Sequence, residues 1–127
     1  MPRTTFRNDM TITGTLTVTG GIIRVPTNGT AVAGAVTIAA MQGKVTTEAL
    51  TTAQNANYTL TITNSQIAAA DIVMVSIANG TNSAGLPILQ RVTPAAGSVV
   101  IVIANKIDTA TALNGTLVVS FLVSKAA

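Results

Sequence analysis

The chain has no cysteine, no histidine and no tryptophan, and only one tyrosine and two phenylalanines in 127 residues. Without cysteine there is no disulfide framework, iron–sulfur site or thiol nucleophile. Without histidine, the usual zinc sites, Ser-His-Asp triads and Cys-His pairs are lost as well. Charge is equally scarce: 9% of residues are charged, against about 25% in an ordinary soluble domain. Four acids exist, Asp9, Glu48, Asp71 and Asp108. Two carboxylates are enough for a glycosidase, but sugar clefts usually offer aromatic platforms, and this chain has almost none. Asn105, Asp108 and Thr109 provide too few loop oxygens for a calcium site. The expected class is therefore non-enzymatic, with no cofactor, no catalytic residue and no metal.

Long apolar runs are absent too. Mean hydropathy is high at +0.56, yet the longest candidates, residues 99–104 and 117–123, are strand-sized, far short of the ~20 residues of a membrane helix. The opening Met-Pro-Arg-Thr-Thr-Phe-Arg has no apolar core of a signal peptide, so synthesis in the cytoplasm and no membrane partner are expected. The net charge of +3 invites a nucleic-acid reading, but Arg3, Arg7, Arg24, Lys44, Arg91, Lys106 and Lys125 are scattered and lack stacking aromatics. No nucleic acid is expected as a partner.

What is present is β pattern. Residues 10–19, Met-Thr-Ile-Thr-Gly-Thr-Leu-Thr-Val-Thr, alternate with period two, which predicts a half-buried strand ended by Gly20-Gly21. A short strand is predicted at 22–25, stopped by Pro26, and another at 58–63, where Thr59, Thr61 and Thr63 alternate with Leu60 and Ile62. The more continuously apolar stretches 72–78, 99–104 and 117–123 read as strands buried on both faces. Residues 87–93 add one more, with Pro87 at its first position, where a missing N–H does least harm. Three Asn-Gly steps, at Asn28, Asn79 and Asn114, predict type I′ turns, and 93–97 reads as a loop. A single helical turn is expected at 65–71, capped by Asn64 or Ser65, and 46–54 is ambiguous. About eight short strands predict one all-β domain, an antiparallel β-sandwich or jelly roll. Residues 1–20 stand apart as an N-terminal arm or leading strand ahead of a body at 21–127.

A surface of Thr, Ser, Asn and Ala repels its neighbours weakly and suits a chain that buries itself against partners. From Tyr58 onward the sequence resembles domains of structural proteins from tailed bacteriophages. The residues that carry the likeness are Leu60-Thr61-Ile62-Thr63-Asn64-Ser65, Asp71-Ile72-Val73-Met74-Val75, Asn79-Gly80-Thr81-Asn82, Arg91 to Ser98 and Ala112 to Leu117. The opening Thr-Ile-Thr-Gly-Thr-Leu-Thr-Val-Thr-Gly-Gly is similar to leader segments of phage fibre and capsid-associated proteins. The resemblance implies a virion structural protein: a capsid cement (decoration) protein on the outside of the head, trimeric, with the major capsid protein and its own copies as partners. The alternative within the same resemblance is a head-fibre or tail-fibre module recognising a host receptor or glycan; a non-phage adhesin or surface-layer fragment is a third. Arg3, Phe6, Arg7, Ile12, Leu16 and Val18 are the expected anchors to the shell or an adjacent subunit, with arginine pairing a carboxylate in a desolvated seam.

Overall fold

The computed structural model describes residues 5, 7–21 and 25–126. Among them the chain is all-β: β1 (Thr27–Thr30), β2 (Ala35–Thr37), β3 (Gln42–Thr46), β4 (Asn57–Thr63), β5 (Ile72–Asn79), β6 (Pro87–Ala95), β7 (Ser98–Asn105) and β8 (Leu117–Ser124). They form two four-stranded sheets, sheet A in the order β1-β3-β8-β5 and sheet B in the order β2-β4-β7-β6. The sheets are mixed rather than purely antiparallel, which corrects the expected pairing. Both β1 against β3 and β2 against β4 run parallel, whereas every pairing of β8 and β7 is antiparallel. The result is a sandwich-like domain.

The core lies between the sheets, where alternation sends one side chain in two inward. Val45, Val119, Phe121 and Val123 from sheet A meet Leu60, Ile62, Val99, Ile101 and Ile103 from sheet B. The strand predicted at 58–63 appears as β4, with Leu60 and Ile62 fully buried and Thr59 and Thr63 outside. Residues 99–104 lie on central strand β7 and are buried except for half-buried Val100, although no further layer covers the outer face of sheet B among the described residues. Pro87 does open β6, which runs through Thr93 and Pro94 to a tight turn at Ala96-Gly97, so most of the expected 93–97 loop is strand.

Several expectations are corrected. Residues 10–19 form no strand; 7–21 are exposed throughout, because alternation supplies a face but not the neighbouring ladder that satisfies backbone N–H and C=O groups. Of the strand expected at 22–25, residues 22–24 lie outside the described residues, and Val25 is exposed coil. Asn28-Gly29 is not a turn but the middle of β1. A Cβ on Gly29 would stand 2.9 Å from both Ile38 Cδ1 and Val36 Cγ2, so this glycine serves close packing. Positive φ at two successive residues occurs instead at Ala33-Gly34 (50° and 73°), bracketed by the Val32–Ala35 bridge. Asn79 ends β5, and neither Asn79-Gly80 nor Asn114-Gly115 takes the positive φ of a type I′ turn; their loops instead clasp each other, the Asn114 amide donating to Asn82 Oδ1 at 2.9 Å and the Ser83 amide to Asn114 Oδ1 at 2.8 Å. The stretch 65–71 makes successive reverse turns rather than a helical one, although Asn64 does cap it by accepting from the Gln66 amide at 2.9 Å.

Asp71 closes the end of those turns. It pairs with Lys125 and accepts from the amides of Ala68 (2.8 Å) and Ala126 (3.0 Å), tying the C-terminal residues to the body. The Lys125 ammonium first, then the two amides, hold the Asp71 carboxyl down from 3.8 to about 2. A carboxyl depressed on folding contributes stability that is complete above its unfolded value and is lost as pH falls through the folded one. The melting temperature of the wild-type chain should therefore decline between pH 4 and pH 2 more steeply than that of Asp71→Asn, measured by circular dichroism. Parallel curves for the two chains would show that this pair does not couple to folding.

Candidate functional site

The two outer faces differ. On sheet B, Thr59, Thr61 and Thr63 lie beside Val102, Val100 and Ser98, and next to those stand Arg91, Thr93 and Ala95. This face is dominated by threonine and small apolar groups. On sheet A, cross-strand registers assemble a broader and stickier surface. Gln42, Leu122 and Met74 form one row; Lys44, Ser120 and Ser76 the next; Thr46, Val118 and Ala78 a third; and Ser124 and Ile72 extend it. Opposed residues share a face, so these eleven side chains point outward together. Lys44 is the one charge among them.

Relief follows from residue size. Ser76 and Ser120 are small and sit between the longer Met74–Leu122 row and the Lys44 stem, leaving a furrow of about 240 Å³. It continues past Met74 and Leu122 into a wider depression of about 680 Å³ that reaches Met41, Ser124 and Lys125. A third depression, about 290 Å³, lies on the same face against Asn28, Thr30, Thr46 and Val118. Ile72 is 63% exposed and Met74 54% exposed, unusual for large apolar side chains on a regular strand. The thioether of Met74 is flexible and polarisable, a side chain suited to surfaces that must adapt to a partner.

Two of the four carboxylates, Glu48 and Asp71, are engaged elsewhere in structural contacts. Glu48 accepts from the Gly34 amide and from the Tyr58 hydroxyl, each at 2.9 Å, pinning the Ala33-Gly34 turn to β4. Burial, with Glu48 beside it, raises the Tyr58 hydroxyl above its ordinary range, so Tyr58 stays a neutral donor. Asn105 is fully buried, and its Oδ1 already accepts from the Leu86 amide. Among the described residues, no group of three His, Cys, Asp or Glu side chains converges to hold a metal, and no helix is long and apolar enough to cross a membrane.

Comparison with protein-family models, curated proteins and solved structures finds no match to this chain.

Of the anchors expected from sequence, Arg3 and Phe6 lie outside the described residues. Arg7, Ile12, Leu16 and Val18 are all exposed and lie outside every strand. The outer face of sheet A was missed because 72–78 was read as buried on both sides. In fact β5 is an edge strand whose residues alternate between exposed and half-buried. A signal was there: one phase of the stretch is Ile72, Met74, Ser76 and Ala78, the other is Val73, Val75 and Ile77. The uniformly β-branched phase faces the core, and the mixed phase faces out.

Proposed function

We propose that the chain is a non-catalytic structural protein of a bacteriophage head, a cement protein that binds the outside of the shell and acts by packing. The observation that carries this reading is the outer face of sheet A: eleven outward side chains with a single charge, and Ile72 and Met74 largely open to water. A nearly uncharged face with large apolar side chains open to water suits a surface that meets another protein. The resemblance of residues 58–127 to phage structural domains supports the major capsid protein as that partner and a trimer as the working form. Each copy would remove apolar surface from water at roughly 25 cal/mol per Å², and many copies would add. The arm, with Arg3, Phe6, Arg7, Ile12, Leu16 and Val18, supplies contacts to the shell or an adjacent subunit.

The test is co-sedimentation with purified capsids, combined with thermal disruption of the shell. Saturable binding and a raised shell melting temperature are expected. Binding to an immobilised glycan without capsid binding would favour the fibre-module alternative and overturn the cement role.

A further inference from the structure

We infer that residues 10–18 of one copy add as an extra strand along the free edge of β5 in a neighbouring copy. This deepens the subunit contact in the reading above and does not need the shell.

The acceptor is incomplete. Among the described residues β5 has one ladder partner, β8; its other side approaches β6 of the facing sheet without a ladder, so the N–H and C=O groups of alternate residues there have no strand partner. Its inward side chains show the same lack. Val73, Val75 and Ile77 face the core yet remain half-buried, whereas the inward residues of adjacent β8, Val119, Phe121 and Val123, are at most 2% exposed. The residues of β5 themselves do not guard this edge. Its residues, Ile-Val-Met-Val-Ser-Ile-Ala-Asn, include no proline, no charge and no register shift. The corresponding edge of sheet B, β6, carries Pro87, Pro94, Arg91 and an irregularity between Leu89 and Arg91. Proline, charge and bulges are how proteins guard edges against pairing; one edge here has all three and the other has none.

The donor is equally unsatisfied. Met10, Ile12, Gly14, Leu16 and Val18 alternate with threonine, and every one of these residues is exposed without regular structure. Nine residues in β conformation span about 30 Å, enough to run the length of β5. Laid along β5 with its apolar row inward, the segment covers the open flank of Val73, Val75 and Ile77. Its threonines then continue the outer face beside Met74 and Ser76. Neither strand carries charge, so nothing opposes the approach.

Position favours exchange between copies over folding back. The segment enters the domain at β1, and β1 and β5 are opposite edges of sheet A. Donor and acceptor at opposite edges make a head-to-tail contact, which closes into a ring when the rotation allows.

The native absence of cysteine makes the test clean. A full-length chain carrying one of Thr11→Cys, Thr13→Cys, Thr15→Cys or Thr17→Cys is co-expressed with a full-length chain carrying Ser76→Cys, and the mixture is mildly oxidised without capsids. At least one pairing should give a covalent heterodimer, and Thr61→Cys, on the outer face of sheet B, should give none with Ser76→Cys. Leu16→Pro, in an exposed position, should reduce the sedimenting mass of the assembly to that of one chain while the circular dichroism spectrum keeps its β signature. A wild-type chain that sediments as a monomer, a Leu16→Pro chain of unchanged assembly mass, or no cross-link from any of the four pairings overturns the inference. Capsid co-sedimentation of the same chains is scored separately, so a monomer that still coats shells refutes strand exchange and leaves the shell role standing.

Discussion

Asn105→Ala should cost about 3–5 kcal/mol of folding stability, a large fraction of the 5–15 kcal/mol typical of a domain. Asn105 ends β7 and is completely buried. Its Oδ1 accepts from the Leu86 amide at 2.9 Å, and its Nδ2 donates to the carbonyls of Thr52 (3.0 Å) and Thr111 (2.8 Å). Its own backbone pairs with Ala56 and Asn55. One side chain thus joins the loops that follow β3, β5 and β7. Truncation leaves the Leu86 donor and the Thr111 acceptor without this partner, while the Thr52 carbonyl keeps the Leu113 amide; each buried group deprived of its partner costs about 1–3 kcal/mol and the lost side-chain packing adds to it, with water entering the space offsetting part of the sum. Asn105→Asp keeps the acceptor but turns both donor contacts into oxygen facing oxygen, so it should not rescue. In urea, the midpoint of both variants should fall at unchanged slope. A loss below about 1 kcal/mol for Asn105→Ala would mean that the three loops hold without this link.

The second large effect concerns binding rather than folding. Replacing Ile72 and Met74 together by lysine should weaken attachment to capsids by about two orders of magnitude, while the melting temperature changes by only a few degrees. Both side chains point away from the core, so the folded chain loses little. In a complex each buries apolar area worth about 1.5–3 kcal/mol, and 2.7 kcal/mol in total is about a hundredfold in affinity. Two ammonium groups held in an apolar seam add a desolvation cost. The matched control is Thr59→Lys with Thr63→Lys on the outer face of sheet B, which should leave capsid affinity within about threefold, since less than 1 kcal/mol is at stake there. Equal losses from both pairs would place the docking surface elsewhere.

These two predictions draw on different kinds of information. Leu60 and Ile62 could be assigned to the core from their alternation with Thr59, Thr61 and Thr63, but the same alternation at 10–19 forms no strand, because period two marks a face and does not supply the neighbour that buries it. The continuous run at 99–104 likewise announced a strand with two neighbours and little exposed surface. Residues 72–79 have nearly the same composition and yet form an edge, since composition reports what a strand tolerates and not how many neighbours it receives. Asn105 read as a loop residue with spare oxygens. Its partners Leu86, Thr52 and Thr111 are 19, 53 and 6 positions away, and pairing at such separations leaves no local mark. Asn28-Gly29 shows the converse: a dipeptide with a strong turn preference was absorbed into β1 because Ile38 and Val36 pack where a side chain would have stood.

The sequence by itself determined the β class, the poverty of reactive groups and most of the inward-facing residues, all of which follow from residue chemistry and short-range periodicity. Only the tertiary structure decided the mixed pairing of the sheets, the unguarded edge of β5 and the nearly uncharged face of sheet A. The reason is physical: a ladder joins residues far apart in the chain, and its free energy depends on which strand arrives as neighbour, a choice made by the whole core at once.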